Sequence, residues 1–327
     1  MKNAPGDERE RLADIAHLYY RERMTQQEIA RSLGISRSMV SRLLDKSLQK
    51  GIVEIVIHYP GNRNHDLERQ LTRRFGVEDI RVAATRSGSR AEERFAAGCA
   101  LAAQYILSLL RQDTVMAVAW GRAVAGVLAA LATTKRYPGV KVVQPFGSAL
   151  PNQSVDGTAI IGGLAAKLGG KAVYLHVPLH VGNEQTRNML LNDPQIGKVV
   201  SLAAKADFIV TGIGDNADCG GGDDAPREPF WNNYLARAER RKLLARGSVG
   251  HIFTRHFDID GRLLEMDEYN GIVGLSNERY LKIPLRIAVA MGREKAPGMV
   301  GALRGGFINS LVTDDRTARE IVKTPEA

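Results

Sequence analysis

Runs of consecutive apolar residues, separated by segments with the periodicity of amphipathic helices, constrain the fold of this chain most strongly. The strand-like runs lie at residues 80–84, 115–120, 140–145, 172–177, 208–212, 285–291 and 308–313. The helical patterns between them lie at residues 91–110, 123–131, 157–168, 194–205 and 298–303. Continuous apolar strands that alternate with helices predict a mostly parallel sheet covered on both faces, and therefore an α/β fold.

Glycines cluster where these predicted strands end, and they mark a candidate binding site. They are Gly121, Gly147, Gly212, Gly214 and Gly292. Ligands of open α/β sheets bind beyond the carboxyl ends of the strands, where glycine lets the backbone approach closely. We therefore expect these loops to form one pocket.

Residues 24–44 have a different pattern, which predicts two short helices joined by a tight turn. Thr25 and Glu28 have the spacing of a capping box, and Gly34 can end the first helix. Ser36 can cap the second helix. We expect the helices to pack through Ile29 and Leu33 on the first, and through Val40, Leu43, Leu44 and Leu48 on the second. This is the arrangement of a helix-turn-helix motif.

The start of the second helix would present polar and basic side chains to solvent. In helix-turn-helix proteins this part of the recognition helix meets base edges in the major groove. Forked donors such as arginine suit that contact, although two surface arginines alone would fit an ordinary solvated face. The residues that we expect to contact DNA are Gln26, Ser36, Arg37, Ser38, Ser41 and Arg42.

The composition shift near residue 60 divides the chain. A supporting helix is predicted at residues 7–23, and a β-branched run at 52–57 suggests a strand that could form a wing. We predict a DNA-binding domain at residues 1–58, a linker at 59–66 and an effector and oligomerisation domain at 67–327. A turn between short strands is expected at residues 258–261.

Composition narrows the class of protein and its partners. The chain has 327 residues, 44% of them hydrophobic and 25% charged, which is an ordinary globular mixture. Its net charge of +9 favours a polyanionic partner. We find no apolar run of membrane-spanning length and no signal-peptide core, so we expect a cytoplasmic protein without a membrane partner.

Neither a metal nor a cofactor is expected. His176 and His180 are four residues apart, but Pro178 breaks any helix between them, so a shared metal ion is disfavoured. The acidic stretch that contains Asp215, Asp218, Asp223 and Asp224 fits a solvated loop. Cys99 and Cys219 are far apart in sequence, and reduced thiols are the expectation.

Several motifs together resemble the SorC family of sugar-responsive transcriptional regulators. They include Gln26–Ala30 and the sequence Leu-Gly-Ile-Ser-Arg that follows, then Trp-Gly-Arg at residues 120–122 and Gly-Ile-Gly at 212–214. Phe-Asp-Ile-Asp-Gly at residues 257–261 and the segment at 292–314 continue the resemblance to the end of the chain. The resemblance implies a winged helix-turn-helix head joined to a sugar isomerase-like α/β effector domain, without catalytic turnover.

The same resemblance implies a set of partners and effector-binding residues. The partners would be double-stranded operator DNA, a sugar, polyol or sugar-phosphate effector, and further copies of the chain in a homo-dimer or homo-tetramer. The expected outcome is repression of genes for carbohydrate or polyol catabolism. The effector-binding residues would be Gly121, Arg122, Gln144, Gly147, Ser148, Gly212, Gly214, Asp258 and Lys295.

Two positions depart from the family pattern. Family members that take phosphorylated sugars commonly have a hydroxyl residue after the Gly-Arg pair, where this chain has Ala123. The loop then lacks one donor to an oxyanion, which favours an unphosphorylated polyol or sugar. Met291 stands before Gly292 in place of a small residue, and we expect it to narrow the pocket.

Two other functions are compatible with the residues alone. A sugar-phosphate isomerase or aldolase-like enzyme fused to a DNA-binding head could use Lys295 to form a Schiff base. Against it, no general base lies at a fixed spacing from Lys295 and no acid/base pair is evident. An architectural DNA-binding protein whose second domain only oligomerises is the other alternative.

Overall fold

The computed structural model describes residues 5–53, 63–148, 157–215 and 234–325. The chain divides into two compact units, Met1–Tyr59 and Pro60–Ala327. Because residues 59–62 lie outside the described part, the bounds of the linker stay a prediction. No helix in the described ranges combines the length and the apolarity needed to cross a membrane.

The described residues of the N-terminal unit form three helices, α1 (Pro5–Tyr20), α2 (Gln26–Leu33) and α3 (Arg37–Gln49). Leu12, Ile15 and Ala16 form the buried face of α1. Ile52 and Val53 lie in a bend, and the rest of the predicted wing strand falls outside the described residues.

The second unit contains a parallel sheet and a separate hairpin. The strands are β1 (Asp79–Ala83), β2 (Val115–Val118), β3 (Lys141–Val143), β4 (Lys171–Val173), β5 (Phe208–Thr211), β6 (Ser248–Ile252), β7 (Arg255–Asp258), β8 (Leu285–Val289) and β9 (Ser310–Asp314). Seven of them form one sheet in the order β1-β9-β8-β5-β2-β3-β4, and every neighbouring pair in it is parallel. Each predicted apolar run therefore contributes a strand.

Helices cover both faces of the sheet. The described helices of this unit are α4 (His65–Phe75), α5 (Ala91–Leu109), α6 (Arg122–Ala130), α7 (Gly157–Leu168), α8 (Glu184–Asn192), α9 (Pro194–Ala204), α10 (Arg237–Ala245), α11 (Asn277–Leu281), α12 (Ala296–Arg304) and α13 (Asp315–Lys323), with short 3-10 helices at Asp267–Gly271 and Arg293–Lys295.

The core lies in two layers, one on each face of the sheet. On β5, Ile209 belongs to the layer beneath α4, α12 and α13, whereas Phe208 and Val210 belong to the layer beneath α5, α6 and α7. Successive side chains of a strand point to opposite faces, so a strand covered on both sides is apolar throughout. This burial explains why the strands read as continuous apolar runs.

The hairpin of β6 and β7 packs outside the sheet against α12. A Cβ atom on Gly250 would lie 3.1 Å from the Cα atom of Gly298, so the two backbones are in close contact. Ile252 pairs with Arg255, so Phe253 and Thr254 form the two-residue turn of the hairpin. After β7 the predicted turn at residues 258–261 is present, and the chain returns to bridge with Phe257 through Leu263.

Candidate functional site

The helix-turn-helix motif has the caps that the sequence predicts. The backbone N–H of Thr25 donates to Glu28 Oε2 at 2.7 Å, and the backbone N–H of Glu28 donates to Thr25 Oγ1 at 3.3 Å. Gly34 ends α2 with φ of 65°, in the left-handed region that favours glycine. Ser36 Oγ accepts the backbone N–H of Met39 at 3.2 Å and so caps α3. These caps fix the angle at which α3 leaves the turn.

A small core holds α3 against the other two helices. Ile15, Ile29, Val40 and Leu44 form its buried centre. Glu8 of α1 forms ion pairs with Lys46 and with Lys50, the latter at 2.8 Å. These two lysines lower the pKa of Glu8 to about 2.

The prediction that Leu33 and Leu48 face inward is wrong. Leu33 and Leu48 are 45% and 37% exposed. Ser47 occupies the buried position near the end of α3, where its Oγ donates to the carbonyl oxygen of Leu44 at 2.7 Å. The helical periodicity of hydrophobic residues does not indicate that a serine is buried, because its hydroxyl group can form a hydrogen bond within the helix.

The outer face of α3 carries the predicted DNA contacts. Ser36, Arg37, Ser38 and Arg42 are exposed, and Ser41 is half-buried. Arg42 Nε donates to the carbonyl oxygen of Ser38 at 3.4 Å, and Ser38 Oγ lies 3.0 Å from Ser36 Oγ. This face therefore presents two guanidinium groups beside hydroxyl groups. Gln26, at the start of α2, is half-buried.

The strand order of the second unit reverses direction at β2. From β2 the chain proceeds through β3 and β4 to one edge, whereas β5 lies on the other side of β2. The loops that leave β2 and β5 therefore diverge, which is the topological switch point where open α/β sheets bind ligands. Gly121 follows β2, and Gly212 follows β5.

The loop after β2 leads directly into α6. Gly121 precedes the helix with φ of 134°, a conformation that other residues rarely adopt. Arg122 is exposed, and its Cζ lies 4.5 Å from the centre of the Phe95 ring. A cation–π contact of this kind orients the guanidinium group toward α5.

The loop after β3 is pinned to the segment that follows β4. The buried Gln144 side chain donates from Nε2 to the carbonyl oxygen of Phe146 at 2.8 Å and to Ser148 Oγ at 3.2 Å. A Cβ atom on Gly147 would overlap with the carbonyl group of Pro178, so this position requires glycine. Gln144 and Gly147 hold the loop in shape, and Ser148 is its exposed member.

The loop after β5 is joined to β6 through Gly214. Its backbone N–H and carbonyl oxygen exchange hydrogen bonds with His251, both at 3.0 Å. A Cβ atom on Gly214 would overlap with the His251 imidazole ring. Gly214 is thus required by packing, and Gly212, which is half-buried, is the more accessible glycine of this loop.

Lys295 comes from the loop after β8 and reaches the same region. Gly292 turns the chain with φ of 117°, and a short 3-10 helix then carries Lys295. The half-buried ammonium group donates to the carbonyl oxygen of Ile213 at 2.9 Å. Burial, together with the positive charge of Lys295, lowers the pKa of His251 to about 3. The imidazole ring is therefore neutral at physiological pH.

Asp258 lies at the end of β7. Its Oδ1 accepts the backbone N–H groups of Asp260 and Arg262, at 3.0 and 2.8 Å. Its carbonyl oxygen lies 2.5 Å from where a Cβ atom on Gly301 would stand, five residues past the start of α12. That position is about 7.5 Å along the helix from the end that carries Lys295. The geometry gives Asp258 a turn-forming role.

Met291 does not narrow the pocket as expected. The side chain is 9% exposed, and its sulfur atom lies 2.6 Å from where a Cβ atom on Gly98 would stand. It therefore fills the core between β8 and α5 rather than the loop.

An aromatic row at the loops that follow β2 and β3 is not apparent from the sequence. The rings of Trp120 and Phe146 lie 6.2 Å apart, and those of Phe146 and Phe253 lie 5.3 Å apart. Phe253 sits at the buried tip of the β6–β7 hairpin with φ of 49°. Hairpin turns of this hand usually contain glycine or asparagine, which the sequence lacks here. Trp120 belongs to the Trp-Gly-Arg motif, and this motif is the sequence signal that could have identified it as a site residue.

The described residues contain no group of three histidine, cysteine or acidic side chains that could hold a metal ion. His180 Nε2 lies 2.9 Å from the carbonyl oxygen of Glu268. Of the acidic stretch, Asp218, Asp223 and Asp224 fall outside the described residues, as does Cys219.

Comparisons with known proteins agree with this two-unit arrangement. The family model of the putative sugar-binding domain matches residues 59–323, and the model of sigma-70 region 4 matches residues 7–50. The chain is 31% identical to the sorbitol operon regulator of Klebsiella pneumoniae over 316 residues, which cover 95% of this chain and 97% of the relative. It is 29% identical to the transcriptional regulator LsrR of Escherichia coli K12, covering 97% of this chain and 96% of the relative.

Solved structures give the same picture. The full-length sorbitol operon regulator SorC from Klebsiella pneumoniae matches with a TM-score of 0.70 at 31% identity, over 97% of this chain and 99% of that chain. The putative sugar-binding domain of a transcriptional repressor from Vibrio fischeri has a TM-score of 0.70 at 24% identity, over 80% of this chain and 98% of that chain, and shows the fold.

Proposed function

Because the chain belongs to the SorC family of sugar-responsive transcriptional regulators, we propose that it controls genes for the use of a carbohydrate or polyol. The observation that carries the proposal is the separation of two surfaces into two compact units. One is the exposed arginine face of α3, and the other is the set of loops at the carboxyl ends of β2, β5 and β8. The chain is a regulator rather than an enzyme.

In this proposal α3 reads the operator. Arg37 and Arg42 donate to base edges or phosphates, while Gln26, Ser36, Ser38 and Ser41 fix the helix on the duplex. Replacing Arg42 by Ala should weaken specific binding by about 1–3 kcal/mol if the guanidinium group contacts a base. Arg21→Ala, an exposed arginine outside α3, removes the same charge and serves as the control.

Fluorescence anisotropy with a selected operator and with scrambled DNA, at one salt concentration, separates the two contributions. We expect Arg42→Ala to lower the ratio of specific to nonspecific affinity and Arg21→Ala to leave that ratio unchanged. An unchanged ratio for Arg42→Ala would contradict the assigned role.

The effector would bind at the switch point of the sheet. In the proposal Lys295 donates to an effector oxygen, and Gly121, Arg122 and Gly212 surround the ligand with backbone and guanidinium donors. Gln144, Gly147, Ser148 and Gly214 keep the loops in place. Asp258 would act by holding the turn that follows β7, since its carboxylate accepts two backbone N–H groups there.

We propose an unphosphorylated polyol or sugar as the effector. Ala123 lacks the hydroxyl group that could donate to a phosphate oxygen, and Arg122 lies against Phe95. A panel of hexitols, hexoses and their monophosphates, tested by thermal shift, should identify stabilising compounds among the uncharged members. A ligand present at about 100 times its Kd adds about 2.7 kcal/mol of stability. Lys295→Met should abolish that shift, whereas a shift produced only by monophosphates would overturn the choice of ligand class.

Effector binding would act by shifting populations. A ligand that binds one arrangement of subunits more tightly favours that arrangement, and half-site spacing then determines whether both recognition helices fit the operator. We propose a homo-dimer or homo-tetramer that represses in the absence of effector. Light scattering of the protein with and without operator measures the assembly, and release of the operator on addition of effector tests repression.

A further inference from the structure

Met39 is a large apolar side chain exposed in the first turn of α3. It is 41% exposed, whereas the next residue, Val40, is fully buried. Its backbone N–H is held by the capping Ser36, so the position of Met39 is fixed relative to the helix start. Its neighbours on this turn, Arg37 and Ser38, are polar and exposed.

The helical geometry places Met39 on the side of Arg42. Residues three apart on a helix lie on the same side, about 60° from each other around the axis. The buried face of α3, formed by Val40 and Leu44, points toward the core of the N-terminal unit. Met39 and Arg42 therefore project together, away from that core.

The positive charges around Met39 favour an anionic partner. Within the described residues, neither Arg37 nor Arg42 forms an ion pair with an acidic side chain, although Lys46 and Lys50 at the other end of α3 both pair with Glu8. A basic patch that contains one exposed apolar group matches the major groove, which presents phosphates at its rim and the thymine methyl group as its apolar feature. Methionine is unbranched and polarisable, and it adapts to such a contact.

We propose that Met39 is a specificity-determining residue that packs against the C5-methyl group of a thymine in the operator. This rests on the proposed function, in which α3 enters the major groove. The predicted thymine lies beside the base or phosphate that Arg42 contacts. The alternative is that Met39 contacts a second copy of this chain, in which case replacing it would change the oligomeric mass.

The test uses the full chain and an operator obtained by in vitro selection with the wild-type protein. Each thymine of the selected site is replaced in turn by deoxyuridine, which removes only the methyl group. Affinities of the wild type, Met39→Ala and Leu48→Ala are measured at one salt concentration. Leu48 is an exposed leucine near the other end of α3, so Leu48→Ala controls for loss of apolar surface.

We expect one thymine at which deoxyuridine weakens the wild type by about fourfold, or ~0.8 kcal/mol, the value of one buried methylene group. Met39→Ala should lose that sensitivity at this position alone, and Leu48→Ala should keep it. Equal sensitivity of Met39→Ala and the wild type at every thymine would overturn the proposal. So would a changed oligomeric mass of Met39→Ala with unchanged sensitivity, which indicates a contact between copies. If selection yields no preferred sequence, the proposed function itself fails.

Discussion

At the scale of single residues, Gly214 and Gly121 show two different reasons for glycine at the end of a strand. Gly121 has φ of 134° and has nothing within 4 Å of where a Cβ atom would stand. Gly214 has ordinary backbone angles but lies against the His251 ring. The sequence motif alone does not distinguish the two, because conformational freedom and close packing both select glycine.

Gly214→Ala should therefore destabilise the second unit by overpacking. The added methyl group would overlap with His251, and we expect a loss of about 1–3 kcal/mol in the free energy of unfolding. Urea unfolding measures it. Gly182→Ala is the control, because that exposed glycine has open space at the Cβ position and no positive φ. Equal stability of the two variants would contradict the packing described for His251.

His251 and His256 make stability depend on pH. Burial lowers the pKa of His251 to about 3 and holds that of His256 well below its ordinary value of 6.5. The unfolded chain therefore binds protons that the folded chain excludes. The stabilisation is present above pH 6.5 and is lost as the pH falls from 6.5 toward the folded pKa values.

Urea unfolding at about pH 7 and about pH 5.5 should show a loss of ~1 kcal/mol for each of these histidines. His251→Gln and His256→Gln should each remove one such contribution, while His176→Gln, an exposed histidine, should leave the difference unchanged. If His251→Gln retains the whole pH dependence, the ring is not held neutral as described.

At the scale of the elements, the caps of α2 and α3 are predictable from sequence because each cap is a contact over three residues. Thr25→Ala removes the capping box of α2 and should cost about 1 kcal/mol. Hydrogen exchange should then quicken about fivefold in the amides of α2. Ser32→Ala is the control, because Ser32 Oγ only donates to the carbonyl oxygen of Ile29 within the same helix. Unchanged exchange in Thr25→Ala would contradict the role of the cap.

Two of the elements that the sequence did not predict lack the usual signals. α8 has no buried residue, so it lacks the apolar periodicity that would reveal it. The β6–β7 hairpin turns at Phe253 and Thr254 with φ of 49° and 63°, without glycine. Tertiary packing holds this turn, since both residues are buried. By contrast, α7 spans 157–168, as its pattern of apolar residues predicted.

At the scale of the whole molecule, the parallel α/β fold and the family were predicted from sequence and are confirmed. The rule that ligands bind at the carboxyl ends of strands also predicts which loops meet at the switch point. It does not predict where the hairpin packs. The hairpin places the carbonyl oxygen of Asp258 beside Gly301, a contact that no sequence motif indicates.

In the proposed function one unit binds operator DNA and the other binds a metabolite. The second unit is compact from Pro60 onward, and the solved domain from Vibrio fischeri covers 80% of this chain. Deleting residues 1–59 and measuring both affinities tests this most directly. We predict that operator binding is lost and that the effector still raises the melting temperature. A truncated protein that binds the operator as tightly as the full chain would contradict the account.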